Sequence, residues 1–543
     1  MTKYSLNTII FLFLILFCKS LFSQQILPLN RNLNQTIEKS INDLGANFHS
    51  SFKPYISSVD SSGFDSVLML NRNADYKNYS WFKRKLRYEN FIIVDTTDFY
   101  LTIDPLFNFS YELENSEKSK NISKIYNNTR GIIIKGILGN NLYFESLFCE
   151  NQSFFNSYLN DFVSKNRIVP GQGFVKNFKT NGYDYAYATG LISYSPKKYF
   201  NFQFGHGKNF IGDGYRSLLL SDNSFNYPFF KITTNIWKLQ YTNLYTTYLD
   251  LNSNHSYPGG FQRKQSTTHY LSININKYIS FGMFESIIWQ RADSTGSRGF
   301  DINYINPVIF YRPVEFSLGS PDNALIGSNL KIKINNNITY YSQLIIDDID
   351  FGRSKEDSTG NGGYILNKYG YQLGIKFYDL FSIPNLYFQT EYNNVRPYVY
   401  AHKTPLQNYS HYNQALAHPF GANFKESVTI LNYRFKDWFV EFKLNYAVYG
   451  ADTANFHWGK DIFRSDYEAQ RGFPSYNNKT GQGLHTELIF AKFRFNYLIN
   501  PKTYMNVFVE FVYREEKSEI TVNKASFVSF GIKTSLNNFY YDF

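Results

Sequence analysis

Apolar and polar side chains alternate along most of the chain. In Tyr199-Phe200-Asn201-Phe202-Gln203-Phe204-Gly205 every second residue is Phe, and the residues between are small or polar. Lys331-Ile332-Lys333-Ile334 and Lys492-Phe493-Arg494-Phe495-Asn496-Tyr497 repeat the pattern. A period of two predicts β-strands with one apolar and one polar face. A soluble sandwich alternates in the same way, so the connections between runs must decide between it and a barrel in lipid.

Tight turns are readable at Gly139-Asn140-Asn141, Pro196-Lys197-Lys198, Trp237-Lys238, Asn276-Lys277, Asn335-Asn336-Asn337, Ile383-Pro384-Asn385, Lys436-Asp437 and Asn500-Pro501-Lys502. Between them the strands run out into longer polar segments near 151–183, 207–228, 250–266, 291–328, 349–367, 393–426 and 449–484. Short connections alternate with long ones throughout, as periplasmic turns alternate with extracellular loops in bacterial barrels. With an opening strand within 98–113 and a closing strand at 524–535, the pattern predicts an all-β fold, a transmembrane antiparallel β-barrel of about 18 strands. Both termini are then expected in the periplasm. Phe539, Tyr541 and Phe543 alternate at the end of the chain, which resembles the terminal-aromatic signal read by the outer-membrane assembly machinery. Residues 24–97 are less regular and read as a periplasmic or plug segment with a short helix near Thr36–Leu44; residues 98–543 are the barrel. A second helical pattern, Phe155, Tyr158, Leu159, Phe162 and Val163, falls in the first long loop, where it can cap or fill the lumen.

The first residues, 1–23, carry Lys3 before an apolar stretch from Ile9 to Phe17 and small residues Ser20 and Ser23 before a cut at Gln24, the layout of a secretory signal peptide. Phe17 before Cys18 does not suit a lipobox. No later segment supplies the roughly 18 consecutive apolar residues of a membrane helix. Of 543 residues, 19% are aromatic, which excludes a disordered chain and suits a lipid face with two interfacial girdles. After loss of 1–23 a single cysteine, Cys149, remains, so neither an internal disulfide framework nor a cysteine zinc site is available.

Candidate chemistry is sparse. No G-x-S-x-G or comparable nucleophile constellation occurs, so no enzyme activity and no cofactor is expected. The segment from Gly205 to Asn223 is rich in glycine, but Lys208 precedes Gly212, the reverse of a P-loop. It reads as a tightly folded loop at the barrel mouth, with Gly205, Gly207, Gly212 and Gly214 allowing sharp bends and His206, Lys208, Asp213 and Arg216 facing water or a ligand. The plainer alternative is a loop held by its own Asp213–Arg216 hydrogen bonds. Asp347, Asp348 and Asp350 with Glu356 and Asp357 offer oxygen ligands without EF-hand spacing, so a solvated strand end is the simpler reading. His402, His411 and His418 share one long loop at spacings that fit no compact metal motif. The formal charge is +11, and basic residues such as Arg263, Lys264, Arg291, Arg298, Arg464 and Arg471 spread through the loops, where they can meet lipopolysaccharide phosphates and acidic glycans. Tyr257, Phe261, Tyr398, Tyr400 and Trp458 can stack on sugar rings. Nucleic acid is not an expected partner at a cell surface.

The stretch Phe204–Pro228, with Phe310-Tyr311-Arg312-Pro313-Val314-Glu315, Asp322-Asn323-Ala324-Leu325-Ile326-Gly327 and Leu416-Ala417-His418-Pro419-Phe420-Gly421-Ala422-Asn423, resembles the Wzi-type capsule-assembly barrels. Glu150-Asn151-Gln152 and Val169-Pro170-Gly171-Gln172-Gly173 extend the likeness over most of the mature chain, nearest to the branch named gliding motility protein RemB. Asp213 stands where Wzi-type proteins usually carry Pro, and Phe210-Ile211 replaces their usual aromatic pairing. The resemblance implies an outer-membrane barrel that attaches or organises capsule or exopolysaccharide without catalysis and supports gliding or adhesion. The candidate glycan-binding or lumen-loop residues are His206, Lys208, Asp213, Arg216, Asn223, Arg312, Glu315 and His418, and the expected partners are surface polysaccharide, outer-membrane lipid and lipopolysaccharide, motility or adhesin proteins, and the barrel assembly machinery. The alternative is a porin-like channel for small solutes.

Overall fold

The computed structural model describes residues 24–58, 74–118, 124–139, 141–251, 260–293, 296–306, 322–350, 352, 362–468 and 476–543. The expected signal peptide at 1–23, Tyr257, Arg312, Glu315, Glu356, Asp357 and Arg471 lie outside these described residues.

Alternation is realised as a closed wall of 18 antiparallel strands. They are β1 (Phe99–Ser116), β2 (Ile125–Leu138), β3 (Leu142–Phe154), β4 (Gly182–Lys197), β5 (Phe200–Gly207), β6 (Tyr227–Ile236), β7 (Leu239–Asp250), β8 (Gln262–Asn274) and β9 (Ile279–Gln290). The second half comprises β10 (Asn323–Lys333), β11 (Ile338–Asp348), β12 (Lys368–Phe377), β13 (Leu386–Val395), β14 (Phe424–Phe435), β15 (Trp438–Ala451), β16 (Leu484–Asn500), β17 (Met505–Ser518) and β18 (Val522–Thr534). Each strand pairs with its neighbour in sequence, and β18 closes the ring on β1, Lys533 opposite Asn108. On β5 the Phe residues point outward, Phe204 being 67% exposed, while Asn201 and Gln203 between them are 2% and 1% exposed. An apolar outer face over a polar inner face is what a wall in lipid requires.

The short connections lie where the sequence places them, at one end of the barrel, although the one around Ile383-Pro384-Asn385 is eight residues long, 378–385, with a 3-10 turn at Leu380–Ser382; the strand ends that lead into the seven long connections lie at the other. Two further connections at the long-loop end are shorter, 117–124 between β1 and β2 and 519–521 between β17 and β18. Ser518 Oγ accepts the amides of Ile520 and Thr521 and closes that hairpin tightly, so long loops do not alternate without exception.

The interior is filled. Helix α1 (Arg31–Ile41) begins earlier than its apolar spacing suggests, because the Asn30 side chain accepts the Leu33 amide at 2.9 Å and starts it. It lies in the short-turn mouth: Lys376 donates to Glu38 at 2.8 Å, Asn42 to the Tyr378 hydroxyl at 2.8 Å, and the Leu44 amide to Asn336 at 3.1 Å. A helix with no apolar pattern long enough to announce it, α2 (Trp81–Arg87), sits at the same end. Helix α3 (Ser157–Asn166) occupies the first long loop as expected, capped by Asn156. Among the loops and the wall a buried apolar core collects Phe52, Ile211, Leu218, Leu219, Leu220, Tyr400 and Tyr409 against Tyr227, Phe284 and Leu325.

The end of the chain corrects the expected layout. The wall finishes at Thr534, and residues 535–543 form no strand at the short-turn rim. They turn back into the lumen, where Phe543 packs on Phe162 of α3 with ring centroids 4.9 Å apart. The alternating aromatics are tail residues that fill the barrel, because Tyr540, Tyr541 and Asp542 find polar partners there that the rim would not supply.

Candidate functional site

The loop between β5 and β6, residues 208–226, folds inward rather than out. Phe210-Ile211 pairs antiparallel with Phe52-Lys53 of the N-terminal segment, and Lys53 Nζ donates to the Gly212 carbonyl at 2.7 Å. Tyr400 and Tyr409, from the β13–β14 loop, donate to the carbonyls of Leu218 and Leu219, each at 2.7 Å. The glycines permit close approach: a Cβ on Gly212, whose φ is +148°, would lie 2.5 Å from the Gln343 amide, and one on Gly214 would lie 2.4 Å from Glu391 Oε2. That Glu391 carboxylate instead accepts the backbone amides of Tyr215 at 2.7 Å and Arg216 at 3.1 Å.

The charged residues of this loop are engaged inside the chain. Arg216 is 1% exposed. Its guanidinium reaches Glu426 at 2.8 Å and Asp542 at 3.2 Å. Asp542 also accepts Lys443 Nζ at 2.6 Å, Asn445 Nδ2 at 2.8 Å and the Tyr215 hydroxyl. Two cations thus face two anions in one buried cluster. Burial opposes the charge of Asp542, yet Arg216 and Lys443 outweigh it and hold its carboxyl well below the usual range. His418 donates from Nε2 to Glu426 at 2.7 Å and accepts the Phe420 amide at Nδ1, 3.2 Å away. That pair of partners selects the neutral imidazole, and burial lowers its pKa in the same sense, so His418 counts as an uncharged donor.

Lys208 Nζ donates to the carbonyls of Gly171 at 2.8 Å and Asp222 at 3.1 Å, and burial pulls its pKa down to about 8. Asp213 accepts Ser50 Oγ at 2.6 Å and Asn329 Nδ2 at 3.0 Å. Burial works against its charge, but Lys331 and Lys53 hold its pKa at about 2. Asn223 donates to the Ala415 carbonyl at 3.2 Å. His206, partly exposed on β5, lies 3.3 Å from the Ala188 carbonyl. The predicted Asp213–Arg216 pairing is replaced by these longer-range partners, because the loop is clamped from the wall, the N-terminal segment and the tail. His411 is likewise committed: it accepts the Leu249 amide at 3.0 Å and its other nitrogen meets the Asn226 carbonyl at 3.0 Å. Among the described residues no group of three or more His, Cys, Asp and Glu is arranged to hold a metal ion.

What the long-loop end exposes is different. The Arg167 guanidinium, in left-handed backbone just past α3, stands 5.9 Å from the ring of exposed Phe174, which lies 6.5 Å from Phe261. Arg263 and Lys176 are exposed beside them in sequence. Sequence reading named Phe261 and Arg263 but missed Arg167, Phe174 and Lys176, which only the packing of two loops brings together. Aromatic faces next to cations can stack on sugar rings and pair with acidic groups.

No family model matches the chain, and no curated protein matches it. Among solved structures it is similar to Wzi, an outer-membrane protein involved in group 1 capsule assembly in Escherichia coli and described as a carbohydrate-binding β-barrel. The identity is 12%, covering 94% of this chain and 99% of Wzi, with a TM-score of 0.53. OprD of Pseudomonas aeruginosa matches at 8% identity over 80% of this chain and 94% of its own, with a TM-score of 0.42. Of the two, the Wzi likeness speaks to the fold: this chain has a Wzi-like barrel fold.

Proposed function

We propose that this chain is an outer-membrane barrel that attaches or organises surface polysaccharide, non-catalytically, with its long-loop end outward. The observation that supports this best is the filled lumen: the N-terminal segment, the glycine-rich loop, the β13–β14 loop and the tail occupy the interior. A barrel so packed offers a loop surface more readily than a pore. The exposed Arg167–Phe174–Phe261 cluster has the chemistry an acidic glycan needs, and the Wzi likeness is to a carbohydrate-binding barrel. Lys208, Asp213, Arg216, Asn223 and His418 then serve by holding the loops that carry this surface, and His206 is the member of the predicted set with a partly open ring. Support of gliding or adhesion, through motility or adhesin partners, follows if the retained glycan governs how the surface grips.

The test is a deletion strain complemented with wild type or with Phe174→Ser/Phe261→Ser/Arg263→Gln, each checked for surface delivery. Glycan retention and colony spreading are measured together. Shed glycan with the triple variant supports the reading; full retention by both the deletion strain and the variant refutes it. A deletion strain that keeps its glycan but no longer spreads leaves the motility half standing alone.

A second reading, a small-solute channel, draws on a polar cavity of about 330 Å³ between α3, the tail and the wall strands β1–β3 and β16–β18, lined by Asn127, Lys492, Arg494, Glu510 and Lys533. Planar-bilayer recordings separate the two: large, stable conductance steps from pure wild-type protein favour the channel.

A further inference from the structure

Residues 81–94 carry a row of apolar side chains that the barrel does not cover. Trp81 is 60% exposed and Phe82 67%, and Leu86, Phe91, Ile92 and Val94 are exposed beside them. The backbone that bears them is firmly tied. Asn500, at the end of β16, donates to the carbonyls of Lys85 at 3.0 Å and Glu89 at 3.1 Å. Asp104 accepts the Phe91 amide at 2.7 Å and the Asn90 side chain at 2.6 Å. Exposed apolar residues on an anchored, ordered segment call for an occupant.

The register shows which one. Pairing of β18 with β1 stops at Lys533–Asn108, leaving the first residues of β1 without their wall neighbour. Ile92–Asp95 fills that place, Ile92 opposite Ile103 and Val94 opposite Leu101. Residues directly opposite in an antiparallel pair share a face. Thr102, Asp104 and Leu106 of β1 are buried toward the lumen, so Ile103 and Leu101, and with them Ile92 and Val94, lie on the lipid side. Phe91, one residue before that strand, meets Trp81 at 6.2 Å, which ties α2 to the chain entering it. On its other flank α2 reaches the aromatic girdle: Arg87 donates to Asp437 at 3.0 Å and to the Tyr497 hydroxyl at 2.7 Å, and Tyr497 packs on Trp438 at 4.6 Å. The segment therefore adjoins the lipid-facing wall at both ends, through Ile92 and Val94 paired with β1 and through Arg87 at Tyr497.

We propose that residues 81–94 form an interfacial anchor that seats in the phospholipid leaflet at the short-turn end of the barrel. Trp81, Phe82 and Leu86 enter the boundary between headgroups and acyl chains, and exposed Lys83 beside them meets the anionic phosphates, while Arg84 and Lys85 pair with Glu89 and Arg87 with Asp437. Tryptophan with neighbouring cations at a membrane–water boundary is a favoured arrangement. The anchor would also hold α2 against the short-turn rim, adjacent to the mouth that α1 closes.

Test it with the mature full-length protein in vesicles of phosphatidylethanolamine and phosphatidylglycerol. Place an environment-sensitive fluorophore at Phe82→Cys, and separately at Leu86→Cys, each in a Cys149→Ser background. A label at Ile520→Cys, on the exposed β17–β18 hairpin, is the aqueous reference. Emission shifted to the blue, resistance to iodide and quenching by nitroxides near the lipid headgroup at either anchor position support the proposal. Iodide quenching at both equal to that at Ile520→Cys overturns it. Shielding seen in intact cells but lost in pure-lipid vesicles also overturns it, and assigns the face to a protein partner.

Discussion

Asp542→Asn is the sharpest perturbation of the plug. The substitution keeps the shape of the side chain and removes one of the two anions facing Arg216 and Lys443. Arg216 retains Glu426, but Lys443 loses its direct ion pair, and nearby Glu441 is already bridged to Lys492. Breaking a buried ion pair by removing one partner costs about 3–5 kcal/mol, most of it the penalty of the stranded charge. That corresponds to roughly two to three and a half powers of ten in the equilibrium between closed and opened plug. The wall, whose strands pair independently of Asp542, should keep its strand content. Protease susceptibility of the β5–β6 loop, titrated with urea in reconstituted protein and read beside far-ultraviolet dichroism, measures the two separately. Loop cleavage should begin at much lower urea in Asp542→Asn while the strand signal is unchanged. Adding Lys443→Met, which removes the stranded cation, should recover a large part of the loss. An Asp542→Asn protein that resists cleavage as well as wild type, or a double variant worse than either single, would refute the idea that this charge cluster fastens the plug.

Three further outcomes are expected. Gly214→Ala should weaken the same loop, because its Cβ would sit 2.4 Å from Glu391 Oε2 and push that carboxylate off the Tyr215 and Arg216 amides; the urea titration of loop cleavage checks it. Acid should loosen the plug: His411 is buried with a pKa near 3 and His402 with one near 4, against 6.5 when exposed, so the opened state gains protons first and stability falls as pH drops from about 6.5 toward 3. His411→Gln, which can still accept the Leu249 amide, should flatten the pH profile of loop cleavage over that range. Removing residues 535–543 should leave the barrel closed on itself, since β18–β1 pairing ends at Lys533, yet raise conductance in planar bilayers by freeing Arg31, Arg216 and α3 from the tail.

The wall was legible because lipid imposes a strict rule at every second position. Phe200, Phe202 and Phe204 could point nowhere but out, and the Trp237-Lys238 and Lys436-Asp437 turns had to be short between runs of that kind. The plug was not, because its order comes from contacts between residues hundreds of positions apart. Lys53 meets Gly212, Arg216 meets Asp542, and Lys376 meets Glu38, with nothing in the local pattern to pair them. The glycine-rich segment was recognisable as a folded loop, but whether Lys208 and Asp213 faced solvent or protein depended on the N-terminal segment and on Gly171, which periodicity does not locate. The tail's course was not legible for a related reason: the closing strand falls where expected, but the partners of Tyr540 and Asp542 that draw the chain end inside lie far away in sequence.

The inward turn at residues 535–543 sets an order of assembly. A polypeptide emerges from its N-terminus, so α1, the glycine-rich loop and α3 are all made long before the segment that ties them together. Arg31 waits for Tyr540, Arg216 for Asp542 and Tyr158 for the Tyr541 carbonyl, all supplied after the final wall strand. Until that strand has closed on β1 there is no enclosed space for the tail to enter. The interior is therefore completed last, and anything appended beyond Phe543 begins its course within a crowded lumen beside Phe162.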